Sequence, residues 1–188
     1  MITTTLRELT AEAHKKAEDT VFMRLLMAKA ITEEEYMSYL TQITLVYTGL
    51  EYAAEKVGIL KELDGISRLD NVRADLAELN AKLGIRSRLY SETISYYNDI
   101  IDMTDRDTIL GHFYVRYAGD MYGGQMLKTL VPGSGKLYDF GDKLPVLRQR
   151  MRELATPNLA EHAKDAFTRT IDVVNAIMYW RHLYERHI

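Results

Sequence analysis

The chain has 188 residues, 24 Lys and Arg against 27 Asp and Glu, a net charge of −3, and no Cys. That length suits one domain of roughly 100–200 residues; the charge excludes a strongly basic nucleic-acid binder, and the missing Cys excludes disulfides, iron–sulfur clusters and thiolate chemistry. No apolar run approaches the ~18 residues of a membrane span and no leader pattern opens the chain, so a single soluble, cytoplasmic domain over residues 1–188 without a membrane anchor is expected.

The 3 Pro point to long helices, because Pro removes a backbone donor and clashes inside a helix. Leu6, Leu9, Ala13 and Ala17 recur at three- and four-residue steps along one face of a first helix. Phe22, Leu25 and Leu26 mark a second. Thr32 before Glu33-Glu34-Glu35 reads as an N-cap with acids in the first turn, where the helix dipole favours them. The stripe Tyr36, Leu40, Ile43, Tyr47, Leu50 and Ala54 carries that helix towards Val57, and Gly58 stops it. Residues 67–83 repeat apolar positions at helical spacing before Gly84. Ser91 caps a shorter helix through Ile101. Thr104 with Asp105 and Asp107 opens a long one towards Leu130, where Val131-Pro132-Gly133-Ser134-Gly135 breaks the chain. A helix over 143–154 follows, and Thr156-Pro157 starts a last one reaching almost to Ile188. The expected architecture is an all-α, single-domain bundle of about eight helices. The surplus of 13 Tyr over 4 Phe has no explanation in these patterns.

Three groups of residues invite chemistry. His14 has Ala17 and Glu18 on its own helix face, and the small neighbours would let a flat group approach. Neutral imidazole is a good iron ligand with Glu18 accepting its other proton, although an exposed His–Glu helix pair accounts equally for the spacing. In the segment 114–125, Gly119, Gly123 and Gly124 each cost ~1 kcal/mol relative to Ala inside a helix. Gly119 and Gly123 share a face, which leaves a bare groove for a helix or a flat ligand, and Arg116 lies one turn from Asp120. The basic residues Lys143, Arg148, Arg150 and Arg152, with Arg7, form either a solvated face or a clamp for carboxylates. The residues three before the five histidines are Ala11, Ile109, Leu159, Tyr179 and Tyr184, so no Glu-x-x-His di-iron motif exists. Phosphate-cradling and nucleophile-elbow glycine motifs are also absent.

Leu6-Arg7-Glu8-Leu9-Thr10-Ala11-Glu12-Ala13-His14-Lys15-Lys16-Ala17-Glu18 resembles the proximal helix of the heme oxygenases. Arg116-Tyr117-Ala118-Gly119-Asp120-Met121-Tyr122-Gly123-Gly124-Gln125 resembles their distal helix. Weaker similarity runs through Tyr47-x-x-Leu50-Glu51, Arg148-x-Arg150-Met151 and Ala166-Phe167. The resemblance implies heme held between a proximal N-terminal helix and a glycine-kinked distal helix, with His14 on the iron. It implies that Gly119, Gly123 and Gly124 let the distal helix lie close and flex, and that Asp120, with Arg116 nearby, organises water beside bound dioxygen. Arg7, Tyr114, Lys143 and Arg148 would meet the propionates, while Ala17, Glu18 and Phe167 would line the pocket. The implied activity opens heme to biliverdin, as the IX-α isomer, with carbon monoxide and ferrous iron. Its implied partners are a ferredoxin as electron donor, docked on Lys15, Lys16, Arg24, Lys143, Arg150 and Arg152, and a downstream bilin reductase, with the chain a monomer. Val115, Ala118 and Tyr122 depart from the family pattern, Tyr122 replacing a commonly small serine. A heme-binding sensor or carrier without turnover is the alternative on the same fold.

Overall fold

Threonine hydroxyls set the first helix boundaries. Thr5 and Thr32 each form a reciprocal capping box with the Glu three residues on, which satisfies two orphan backbone donors at once. The computed structural model describes the backbone of residues 5–185 and the side chains of residues 5–179. Its helices are α1 (Leu6–Leu9), α2 (Ala11–Glu18), α3 (Val21–Met27), α4 (Glu33–Lys56), α5 (Ile59–Glu62), α6 (Leu69–Leu83), α7 (Ser91–Asp102), α8 (Arg106–Tyr122), α9 (Gly124–Leu127), α10 (Leu144–Leu154) and α11 (Ala160–Glu185). Short 3-10 turns cover Lys136–Tyr138, Gly141–Lys143 and Pro157–Leu159. No strand occurs among the described residues.

The fold class agrees with the sequence pattern, but helices expected as single pieces are divided. Thr10 separates α1 from α2 with a backbone at φ −108° and ψ 3°, and its hydroxyl donates to the Leu6 carbonyl at 2.9 Å. The long helix expected from Asp105 ends at Tyr122, and α9 restarts at Gly124. Between them Gly123 keeps right-handed helical angles, φ −68° and ψ −36°. Gly58, at φ +79°, stops α4 as expected, because left-handed backbone costs a Cβ-bearing residue but not glycine. Ser91 lies inside α7 instead of capping it, its hydroxyl donating to Glu92 at 3.0 Å. The final positions of the last expected helix lie outside the described residues.

Helix α8 is the spine of the bundle, flanked by α4 and α11. Small residues permit the α8–α11 crossing: a Cβ on Gly111 would stand 2.5 Å from the His162 Cβ and 3.2 Å from the Ala163 nitrogen. Loops are fastened by buried polar groups. The Asp75 carboxylate accepts the Lys136 and Leu137 amides at 2.9 and 2.8 Å. Glu51 accepts the Arg68 and Leu69 amides at the start of α6 and the Tyr117 hydroxyl at 2.9 Å. Arg68 donates to carbonyls of Gly65, Ile66, Ser67 and Asp139, tying the α6 entrance to the segment that precedes α10.

Because backbone and a Cβ, not a flexible tip, oppose Gly111, replacing it should cost more than helix propensity returns. Gly111→Ala is expected to lower unfolding stability by about 1–3 kcal/mol, read by chemical denaturation.

Candidate functional site

The proximal candidate stands on α2. His14 is exposed, its Nδ1 lies 3.6 Å from Glu18 Oε2, and its ring meets Phe167 of α11 edge to face, with centroids 5.6 Å apart at 84°. Ala13 and Ala17 are only partly buried, so α2 presents a low, accessible surface around one imidazole. Among the described residues no group of three His, Asp or Glu is placed to hold a metal ion. An iron bound here must therefore bring its other ligands with it.

The opposite character belongs to α8, which is buried over most of its length but bare at two positions. A Cβ built on Gly119 meets nothing within 4 Å, and one on Gly123 meets only the Gly119 carbonyl at 3.4 Å, an ordinary contact. Neither glycine has a positive φ. Backbone conformation and protein neighbours thus give no reason for glycine at either place, although each lowers helix stability by ~1 kcal/mol relative to Ala. Gly124 is different: a Cβ there would lie 2.4 Å from the Tyr138 ring, so its small size serves packing against the 136–138 turn. The sequence pattern treats the three glycines alike, and the structure separates them.

Asp120, one residue beyond Gly119, points into the core at 5% exposure. Tyr47 donates its hydroxyl to Asp120 Oδ2. Burial pushes the carboxyl pKa up to about 6, opposed by Arg116, the Tyr47 hydrogen bond and Arg68. Arg116 and Asp120 form no direct salt bridge. The guanidinium instead donates to Tyr39 Oη at 3.1 Å and lies over the Tyr47 ring at 5.6 Å. A buried carboxylate is thus held by phenols with an arginine beside it, the kind of array that fixes polar molecules by hydrogen bonding.

A third group gathers near the outer end of α8. Burial raises the Tyr114 pKa, with Tyr122 raising it further and Arg7 lowering it. Arg148 of α10 donates to the Met121 carbonyl, Nε at 3.0 Å, and stacks over the Tyr122 ring at 4.8 Å. Tyr122 Oη accepts from Arg152 at 3.1 Å. Several of the expected basic residues have partners within the chain. Lys143 pairs with Asp64 at 3.1 Å and lies across Gly65. Lys15 and Lys16 pair with Asp19 and Glu12 on their own helix, and Arg150 donates to the Glu62 carbonyl at 3.2 Å.

A family model described as heme oxygenase matches residues 1–176. The chain belongs to the heme oxygenase family. It is 26% identical to a heme oxygenase of the red alga Porphyra purpurea over 71% of this chain and 60% of that protein. It is 22% identical to heme oxygenase 1 of the cyanobacterium Synechocystis over 92% of this chain and 82% of that protein. The chain therefore spans somewhat under two thirds of the algal relative's length. Among solved structures, Synechocystis heme oxygenase-1 in complex with heme superposes with a TM-score of 0.80, at 20% identity, over 97% of this chain and 96% of that one. The Leptospira interrogans heme oxygenase gives 0.77 at 24% identity, covering 90% and 96%. Those likenesses fix the fold. Among the described residues no helix is long and apolar enough to cross a membrane.

Several site residues escape sequence reasoning. Tyr39, Arg68 and Tyr96 carry no motif, and Tyr47 reads as an apolar position of a stripe and as part of the weaker resemblance. For Tyr39 and Tyr96 the only signal is the surplus of tyrosine over phenylalanine, and Arg68 has none.

Two outcomes follow. Gly119→Ala should stabilise the ligand-free chain by up to ~1 kcal/mol, because its methyl meets open space, and the same methyl should weaken binding of a flat ligand. For Asp120, below the ordinary value of 3.8 the carboxyl is protonated in both folded and unfolded chains. Between 3.8 and about 6 only the unfolded chain releases its proton, so stability falls as pH rises through that window. Asp120→Asn lacks the effect, and its stability advantage over the parent should grow across the window and then level off in urea denaturation.

Proposed function

We propose that this chain is a heme oxygenase in activity as well as in family. It takes heme as its substrate and opens it to biliverdin IX-α, carbon monoxide and ferrous iron, with dioxygen and an external electron donor. The observation that carries the reading is the pair Gly119 and Gly123, destabilising residues that no neighbour among the described residues requires. A flat macrocycle against that face of α8 supplies the missing requirement.

The residues present fit such a substrate. His14 offers an accessible imidazole nitrogen to iron while Glu18 orients the ring from its other side. Arg7, Tyr114 and Arg148 provide the positive charge and phenol that recognise the two propionates. Lys143 is engaged by Asp64 and is left out of that clamp. Bound heme supplies the redox-active iron and the carbon atom that is oxidised. The protein's part is positional. Asp120, fixed by Tyr47 and flanked by Arg116, holds water by hydrogen bonds beside the distal face and sets where protons are delivered. The propionate clamp fixes the rotation of the macrocycle in its plane and thereby the carbon attacked. A carrier without turnover would need Tyr122 to close the distal face, but its phenol engages Arg148 and Arg152 of α10. Electrons come from a ferredoxin that meets exposed lysine and arginine side chains, an association of complementary charge.

His14→Ala should remove the axial-imidazole signature from the spectrum of the hemin complex; an unchanged spectrum takes His14 out of the site. Asp120→Ala should still bind hemin yet lower the biliverdin yield by roughly 100-fold. The assay is an absorbance time course with reductant and identification of the bilin, and an undiminished yield would remove Asp120 from the mechanism.

A further inference from the structure

A histidine with no role in the site described above lies on α8 one turn before Arg116 and two turns before Asp120. His112 is 1% exposed, and the close crossing at Gly111 presses its helix onto α11. Its two ring nitrogens face in opposite directions. Nδ1 is 2.9 Å from Tyr96 Oη of α7, and Nε2 is 3.5 Å from Asp165 Oδ2 of α11. Asp165 is half exposed and lies 3.6 Å from Arg169, which pairs with Asp99 of α7 at 2.9 Å. These groups and His162 are the charged and titratable neighbours that act on His112. Burial pushes its pKa down to about 4, which keeps the ring neutral, a form with one donor and one acceptor nitrogen.

Inward, the chain of groups does not stop at Tyr96. Tyr96 lines a small cavity together with Tyr39 and Arg116, walled otherwise by Thr170 and by aliphatic side chains such as Ile43, Val46 and Val174. Arg116 Nε is buried with no hydrogen-bond partner, an arrangement that costs stability unless water satisfies it. The cavity has room for one water molecule. That water would join the Arg116 donor to the Tyr96 hydroxyl, and Arg116 is flanked by Tyr39, Tyr47 and Asp120.

We propose that Tyr96, His112 and Asp165 form a proton conduit that connects solvent at the α8–α11 crossing with the cavity beside Arg116 and Asp120. In one transfer, a proton from solvent, collected at Asp165, binds His112 Nε2. The proton on Nδ1 passes to Tyr96 Oη, and the former phenolic proton passes to the cavity water. Three bonds to hydrogen form as three break, the imidazole remains neutral, and no electron moves. The purpose rests on the activity proposed above, since reducing dioxygen consumes protons that must reach a buried site. His112 acts here as a relay and touches no substrate. A histidine that merely staples α8 to α7 and α11 would need neither an opening to solvent on one nitrogen nor an orphan donor beyond the other.

The conduit can be read in the chain without heme, from the rate at which the Arg116 Nε–H proton exchanges with water in 15N-labelled protein. Blocking the relay with His112→Phe, or removing one oxygen with Tyr96→Phe, should slow that exchange by about tenfold while the backbone amides of α8 keep their protection. Tyr96→Phe retains the ring and answers the question if His112→Phe fails to fold. Unchanged exchange in a folded variant overturns the conduit. In hemin turnover the same variants should show lower kcat with unchanged hemin affinity and a larger solvent deuterium isotope effect. Slowed exchange with unaltered turnover would overturn its role in supplying the reaction. Because exchange is measured without heme, failure of the proposed activity would leave that measurement standing.

Discussion

A carboxylate buried in the middle of a helical bundle is the constraint around which the core is arranged. Removing Asp120 from water is costly unless donors replace the lost hydration. They come from separate parts of the chain: the Tyr47 hydroxyl from α4 directly, and the charges of Arg116 and Arg68 from α8 and the α6 entrance. Each donor brings its own requirements. Arg68 spends its guanidinium on four carbonyls, and Arg116 is oriented by Tyr39. Polar groups that are strangers in sequence are thereby made interdependent. The tyrosine surplus belongs to this arrangement. Tyr36, Tyr47, Tyr96, Tyr117 and Tyr138 are among the largest fully buried side chains. Phenylalanine would fill the same space, but it would leave Asp120, Glu51 and His112 without their phenolic partners.

The same helix bears a second, opposite demand. One side of α8 needs bulk and hydrogen bonds: Phe113 stacks on Tyr117 with centroids 3.8 Å apart, and Asp120 enters the core. Another side must stay bare at Gly119 and Gly123. Meeting both within about three turns leaves little freedom, since a residue's neighbours on the helix lie three and four positions away. Gly124 then serves a third purpose, admitting the Tyr138 ring, while Gln125 donates to the Tyr138 carbonyl at 2.9 Å. The interruption of α8 beyond Tyr122 falls where these demands meet.

The bundle was legible in the sequence because helix periodicity, threonine caps and stop glycines are local signals. Gly58 and Gly84 end α4 and α6 where the pattern places them. Breaks within helices were not legible. Thr10 is compatible with a helix interior, and nothing in the sequence marks the departure of its backbone to φ −108°; three clustered glycines likewise look alike until their neighbours are known. His14, Asp120 and the two bare glycines stood out by residue type and spacing. The supporting tyrosines did not, because Tyr47 and Tyr96 satisfy an apolar pattern as well as any leucine. Their hydroxyls matter through partners 73 and 16 positions away. Lys143 shows the converse limit: its charge suggests a clamp, and only the structure shows that it stands in an exposed pair with Asp64.

One physical cause sets the two ionisable groups of α8 in opposite directions. Burial disfavours charge, so it raises the acid, Asp120, to about 6 and lowers the base, His112, to about 4. Their linkage to folding has opposite sign. Asp120 makes the fold less stable as pH rises from 3.8 to about 6, and His112 makes it less stable as pH falls from 6.5 to about 4. The windows overlap, so the two slopes offset one another and stability varies less with pH than either group alone would dictate. Near neutral pH the result is a charged carboxylate and a neutral imidazole two turns apart on the same helix. Those are the states that the proposed roles use, charge to hold polar molecules in place and a neutral donor–acceptor ring to pass a proton without storing it.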